Sequence, residues 1–249
     1  GSEMCIRDRI STGPVYITDP NEAGTVAGGG IFFRTESLDP RTRKGKVGVK
    51  VQVANNTDKE QKVRVQALMT DPKGVDPVGE TAPLVIPPHS TGEVDIPLVI
   101  SNVRPWSPDN PNLYTLSVEV WKAAGGADAK NPAHLLDNRS MRVGVRTVEI
   151  TEKGLVLNGS LFPEKLIGGN RHQDFARLGN AVPNNLQWQD AVKLRKAGMR
   201  VIRSAHYPQD PAFMDACDRL GLFVIVATPG WQFWGKGPFA DRVYDDVRQ

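Results

Sequence analysis

Long apolar runs are missing from this 249-residue sequence. Nowhere do about 18 apolar residues follow one another, so no membrane-spanning helix is expected. Cysteine is nearly absent: Cys5 lies in an atypical leader and Cys217 at an apolar helix position. A disulfide framework or a cysteine metal site is therefore not expected, and Cys217 reads as a buried thiol. Neither sign of charge dominates, with 31 Lys and Arg against 28 Asp and Glu, a formal +3. No basic cluster interleaved with aromatics stands out, so nucleic acid is not an expected partner. The opening Gly-Ser-Glu-Met-Cys-Ile-Arg-Asp-Arg has no apolar core of a secretory leader. Residues 1–12 are expected to be a non-native or disordered leader, and both ends read as those of a fragment.

What is present is a soluble, globular composition, 39% hydrophobic and 24% charged. From residue 13 to 150 short β-type runs alternate with turn signals. Val47, Val49, Val51 and Val53 recur with a period of two, Lys62–Leu68 alternates likewise, and Asn55–Asp58 between them is turn chemistry. Further strands are expected at Gly30–Arg34, Ala82–Ile86, Glu93–Ile100, Leu113–Trp121 and Arg142–Ile150. About seven strands with one apolar face each fit an immunoglobulin-like β-sandwich. His89 and His134 are isolated in Pro-flanked loops and read as surface residues. The Asn-x-Ser/Thr triplets at Asn55, Asn138 and Asn158 read as chance, and Gly28–Gly30 lacks the helix a phosphate loop needs. The Trp106–Tyr114 corner, with Pro108 and Pro111, blocks strand pairing until Leu113, and Trp106 is expected to pack.

After Ile150 the rhythm changes. Gly154–Gly159 reads as a hairpin with an Asn-Gly turn, and Lys165–Gly169 as a short strand leading to Asn170. Trp188, Ala191, Leu194 and Ala197 mark a helix that Gly198 can end. Val201-Ile202 is a second strand. Asp210 can cap a helix with Pro211 at its first position, followed by Phe213, Ala216, Cys217 and Leu220 on one face and Gly221 at its end. Leu222–Ala227 is an unbroken apolar run, expected to be a parallel strand buried on both sides. Ala240–Arg248 reads as a further helix. Residues 151–249 are thus expected to be the N-terminal part of a (β/α)8 TIM barrel, roughly three strands, since the full fold takes about 250 residues.

In such barrels the working polar residues sit at the carboxyl ends of strands. Asn170, Arg171, His172 and Asp174 follow the first strand, Arg203 and His206 the second, Trp231 and Trp234 the third. An arginine fork can orient a carboxylate, two histidines with Asn and Asp can meet sugar hydroxyls, and Trp faces suit a pyranose ring. Each has a plainer reading: a capping loop for His172–Asp174, a structural ion pair for Arg203, packing for Trp231 and Trp234. Convergence at three successive strand ends favours a carbohydrate ligand.

These motifs resemble glycoside hydrolase family 2, which includes β-galactosidases, β-glucuronidases and β-mannosidases. The resemblance runs from about Gly30 to Trp234. It rests on the Trp106–Tyr114 corner, Arg142–Glu149, Gly154–Gly159, Asn170-Arg-His and, above all, Arg203-Ser-Ala-His-Tyr-Pro-Gln-Asp through Ile225. It implies a β-linked oligosaccharide or glycoside as substrate, a sugar-binding jelly roll ahead of the sandwich, and a barrel continuing past Gln249. It also implies that His172 and His206 touch the sugar being cleaved, that Arg203 lies beside the nucleophile carboxylate and keeps it ionised, and that Asp174 supports the pocket. The chain departs from the pattern at Arg200, where the family often has Asn, and at Gln173, commonly Glu. Residues 219–240 contain no Asp, Glu or His, so the Mg²⁺ site of some family members is not expected, nor any cofactor. Both catalytic carboxyls of the family are glutamates on later strands, and the last glutamate here is Glu164. This chain alone is therefore expected to be inactive, the remnant of a retaining β-glycosidase with β-galactoside as first expectation. The alternatives are β-glucuronidase or β-mannosidase specificity, a non-catalytic carbohydrate-binding fragment, or a structural sandwich with an unrelated tail. Oligomeric state stays open. So does the compartment, with a periplasmic or extracellular setting the guess for a bacterial polysaccharide-degrading parent.

Overall fold

The computed structural model describes residues 10–26, 28–74, 78–123, 131–228 and 235–248. Contacts divide the described chain into two compact units. One holds residues 10–105 and 113–161; the other holds Trp106–Asn112 together with the residues from Phe162 onward. The sequence-based division fell at residue 150. The structural one keeps the following hairpin with the sandwich and assigns the Trp106 corner to the other unit.

The first unit is an immunoglobulin-like sandwich. Its strands are β1 (Val15–Ile17), β2 (Ile31–Asp39), β3 (Lys44–Asn55), β4 (Gln61–Thr70), β5 (Val78–Ile86), β6 (Ser90–Ile100), β7 (Tyr114–Lys122) and β8 (Leu135–Val143). In one sheet β3 is central, paired along its length with β6 and on its other side with β2 and β1; the second sheet runs β5-β4-β7-β8. The β3 valines at 47, 49, 51 and 53 are fully buried with Val63, Val65, Leu98, Leu116 and Val118, so the period of two becomes the core.

One expectation changes here. The run at Arg142–Ile150 is not one strand: β8 ends at Val143, and a separate strand, β9 (Val148–Thr151), pairs with β10 (Gly154–Leu157), which pairs in turn with β11 (Ser160–Leu161). Val143 and Val145 both turn into the sandwich core, and the chain then leaves that sheet. Most of β8 is polar and half-exposed, Leu-Leu-Asp-Asn-Arg-Ser-Met-Arg, as suits the edge of a sheet.

The second unit carries β12 (Gly168–Arg171), α1 (Asn184–Lys196), β13 (Val201–Ser204), α2 (Pro211–Leu220), β14 (Phe223–Ile225) and α3 (Pro238–Arg248). The strands are parallel in the order β12-β13-β14, the strand–helix alternation of an α/β barrel. Helix α2 starts where its chemistry says it should: the Asp210 side chain accepts the Ala212 N–H, Pro211 takes the first helical position, and Gly221 closes the helix in the left-handed region. Its buried residues Phe213, Ala216 and Cys217 pack with Ala191, Ile202 and Leu222. Burial pushes the Cys217 thiol up to about 12, which keeps it uncharged at neutral pH.

The third strand corrects an expectation. It spans three residues, and Ile225 and Val226 are 57% and 52% exposed. Helices α1 and α2 cover one face of the sheet, the one carrying Ile202 and Val224. Ile225 lies on the opposite face, in register with Arg203, which no described layer covers. An apolar run reports affinity for a core without reporting whether both sides have one.

Candidate carbohydrate site at the strand ends

The site follows from strand parity. Asn170 pairs in register with Arg203, and Arg171 with Ser204. Side chains alternate across a strand, so Asn170 and Arg203 share the face away from the helices while Arg171, Ile202 and Ser204 point into the helix layer. Arg171 is 6% exposed. Its guanidinium donates to Gln209 Oε1 (2.5 Å), Gln187 Oε1 (2.7 Å) and Asp190 Oδ2 (2.9 Å), and stacks 4.0 Å from the Phe213 ring centroid. The sequence placed Arg171 among the strand-end candidates; the structure makes it a structural cation, its donors directed at these buried or half-buried acceptors.

Three expected residues come together on the open face. The His172 and His206 rings meet edge to face, centroids 5.3 Å apart with 81° between planes. Arg203 Nη1 lies 3.0 Å from His206 Nδ1. Arginine can only donate, so Nδ1 accepts and the neutral ring carries its proton on Nε2. The two strand ends and the loops that follow them supply complementary chemistry: a permanent cation on β13, two imidazoles on the loops and, on the same face, the exposed amide of Asn170 on β12. Asp174 is exposed two residues beyond His172. Trp231 and Trp234 lie outside the described residues. The Ala205–His206 peptide bond is cis.

His206 is held below the ordinary histidine range, first by desolvation, then by the Arg203 cation and by His172. It therefore stays neutral where an ordinary histidine of about 6.5 begins to charge. Between its folded value and about 6.5 the unfolded chain binds the extra proton, so stability rises with pH across that window and is lost as pH falls through it. An NMR titration of the four imidazoles is expected to give His206 a midpoint below 6.5, rising in Arg203→Gln. A midpoint at 6.5, unmoved by that substitution, would contradict the arrangement.

The opposite end of the strands is closed by ion pairs. Arg200, just before β13, grips Glu164 through Nε and Nη2 (2.6 and 3.0 Å) and Asp109 through Nη1 (2.8 Å), and Arg195 donates to the same Asp109 oxygen and to the Pro108 carbonyl. These partners, Arg200 first, hold Asp109 below the usual carboxylate range. Arg200, noted in the sequence only as a departure from Asn, is thus a clasp. Its signal was the charge complement in Asp109 and Glu164, which only the folded chain brings near.

Gln173 was noted in the sequence only as a departure from Glu, and Tyr207 and Gln209 were given no role. Tyr207 Oη accepts the Gln173 N–H (3.1 Å), and Gln173 Oε1 accepts the Asp210 N–H (2.6 Å). Gln173 and Tyr207 directly follow the two histidines in the chain, which is the one signal the sequence offered for them.

Comparison with known proteins bears on both units. Residues 29–146 match the family model described as glycosyl hydrolases family 2, and residues 148–238 match the model for that family's TIM barrel domain. A β-galactosidase of Thermoanaerobacter pseudethanolicus is 39% identical over 152 residues, covering 60% of this chain and 19% of that protein. A β-glucuronidase of Bacteroides fragilis is 29% identical over 219 residues, 87% of this chain and 29% of that protein. The crystal structure of a glycosyl hydrolase family 2 member from Bacteroides cellulosilyticus superposes with a TM-score of 0.73 at 25% identity, covering 87% of this chain and 27% of that one. The chain thus spans less than a third of the length of each. It belongs to glycosyl hydrolases family 2.

Proposed function

We propose that this member of glycosyl hydrolases family 2 supplies the non-carboxylate half of a sugar pocket in a retaining β-glycosidase, with a β-galactoside as the leading substrate. The observation that carries the reading is the convergence of His172, His206 and Arg203 at adjacent strand ends, 5.3 and 3.0 Å apart. Neutral imidazoles exchange hydrogen bonds with sugar hydroxyls, and Asn170 extends the same face. Arg203 is placed to hold a neighbouring carboxylate ionised by an opposite charge at close range. Asp174, Trp231 and Trp234 are proposed as further walls of the pocket. A β-glucuronide is the second reading, because a relative covering 87% of this chain bears that name; Arg203 would then be a candidate partner for the sugar's own carboxylate.

Retaining hydrolysis needs two carboxyls about 5–5.5 Å apart. No glutamate follows Glu164 in these 249 residues, and Glu164 is committed to Arg200 at the far end of the strands. The chain is therefore proposed to bind sugar weakly and to cleave nothing. The test is to assay the purified chain on aryl β-galactosides and β-glucuronides while following its imidazole signals as galactose or glucuronate is added. No turnover, with shifts confined to His172 and His206 and abolished in His206→Ala, is the expected result. Turnover above buffer would refute the assignment of the acids elsewhere. Shifts at neither histidine with either sugar would refute the pocket.

A further inference from the structure

Both histidines stand between residues that are tied down. His172 lies between Arg171 and Gln173, and His206 between Ala205 and Tyr207. Beyond the last paired residues of β12 and β13 the backbone ladder gives one more bond, Ala205 N–H to the Arg171 carbonyl (2.9 Å). From there side chains continue it. Arg171 reaches Gln209, the Gln173 N–H reaches Tyr207 Oη (3.1 Å), and the Asp210 N–H reaches Gln173 Oε1 (2.6 Å). Arg171, the last residue of β12, and Gln173 just beyond it therefore hold residues 205, 207, 209 and 210 of the loop after β13. Gln209 and Arg171 are buried, Gln173 and Tyr207 half-buried.

We infer that Gln173 and Tyr207 are positioning residues: they cross-link the two strand-end loops so that His172 and His206 are presented as a fixed edge-to-face pair. The physical reason is preorganisation. Two imidazoles on separate loops would each sample several rotamers and backbone states, and ordering them on sugar binding would cost affinity. Here the loops are joined on the side away from the histidines before any ligand arrives. Gln173 suits the task because its amide donates through the backbone and accepts through the side chain, and its acceptor also satisfies an N–H at the start of α2, one of the donors a helix cannot satisfy itself. The consequence for a sugar rests on the proposed pocket; the fixing of the ring pair does not, and its test needs no sugar.

The test uses the full chain with labelled histidine rings. His89 and His134, the other two of its four histidines, lie in the sandwich unit and serve as internal controls. The wild-type chain is expected to show a ring-to-ring nuclear Overhauser effect between His172 and His206. Gln173→Ala combined with Tyr207→Phe is expected to abolish it and shift both signals, leaving His89 and His134 in place. Gln173→Glu, which keeps the acceptor, is expected to restore the contact alongside wild-type Tyr207. A residue that merely stabilised the unit would lower its melting temperature and leave the ring contact intact, so an unchanged contact in the double variant overturns the proposal, as does its loss in Gln173→Glu. Should the double variant unfold that unit, amide exchange in Tyr207→Phe decides. The Gln173 amide is expected to exchange roughly fivefold faster, the equivalent of one net hydrogen bond; an unchanged rate overturns it.

Discussion

Arg171→Ala is expected to remove about 3–5 kcal/mol from the strand–helix unit, the range for breaking a buried charge network by deleting one partner. The guanidinium is the common donor to Gln187, Gln209 and Asp190. Deleting it leaves the fully buried Gln187 carbonyl oxygen without that donor and the Asp190 carboxylate, 23% exposed, without its cation. It also strips a flat group from the Phe213 ring, which belongs to the buried core of α2. Arg171→Lys is expected to recover only part of the loss, because one ammonium cannot reproduce a planar fork aimed at three acceptors. Urea unfolding should be followed with probes in each unit, since a chain with two compact units has no single unfolding free energy. The His89 and His134 signals should change little while the strand–helix unit opens early. A loss below about 1 kcal/mol, within the range of an exposed ion pair, would show that the network is not buried in solution.

Arg171 also marks where the sequence stops being readable. Arg171 and Arg203 are the same residue type, each at the end of a parallel strand, one locked into the helix layer and the other beside His206. Which is which depends on strand parity, and a shift of one residue exchanges the faces. The first strand was expected from Lys165 and begins at Gly168. An offset of that size leaves the strand recognisable and the facing of its side chains undetermined. Helix α2 was legible because its signals are local: Asp210 and Pro211 at the start, one apolar face, Gly221 at the end. The β3 valines were legible for the same reason. Strand β8 was not, because an edge strand owes its place to a neighbour and carries little apolar alternation of its own. Trp106 was read as a packing residue at a sandwich corner. Its Nε1–H donates to the carbonyl of Asp218, 112 residues away, at 2.7 Å, a partner that no window of sequence contains.

That distant contact makes Gly221→Ala the second large effect. Gly221 closes α2 with φ 73° and ψ 45°, its N–H bonded to the Cys217 carbonyl. An L-residue there pays roughly 1–2 kcal/mol for the left-handed conformation alone. Gly198, after α1, has φ +83° and open space around its Cβ direction, so Gly198→Ala should cost that amount and no more. A Cβ on Gly221 would lie 2.0 Å from the Pro108 carbonyl oxygen and 2.6 Å from its carbon, backbone atoms that cannot rotate away. The 106–112 segment would have to move, and with it the Trp106 indole, which is 2% exposed and packs edge-on against Phe223 at 5.5 Å. Disturbing a buried tryptophan is expensive, about 3–5 kcal/mol for outright truncation. Gly221→Ala should therefore cost at least about 2 kcal/mol more than Gly198→Ala, since part of that packing is lost on top of the shared backbone strain. Paired urea denaturation of the two variants measures the difference directly. Equal losses would mean that the Pro108 backbone does not press on the end of α2, and that the corner segment stands apart from the strands in solution.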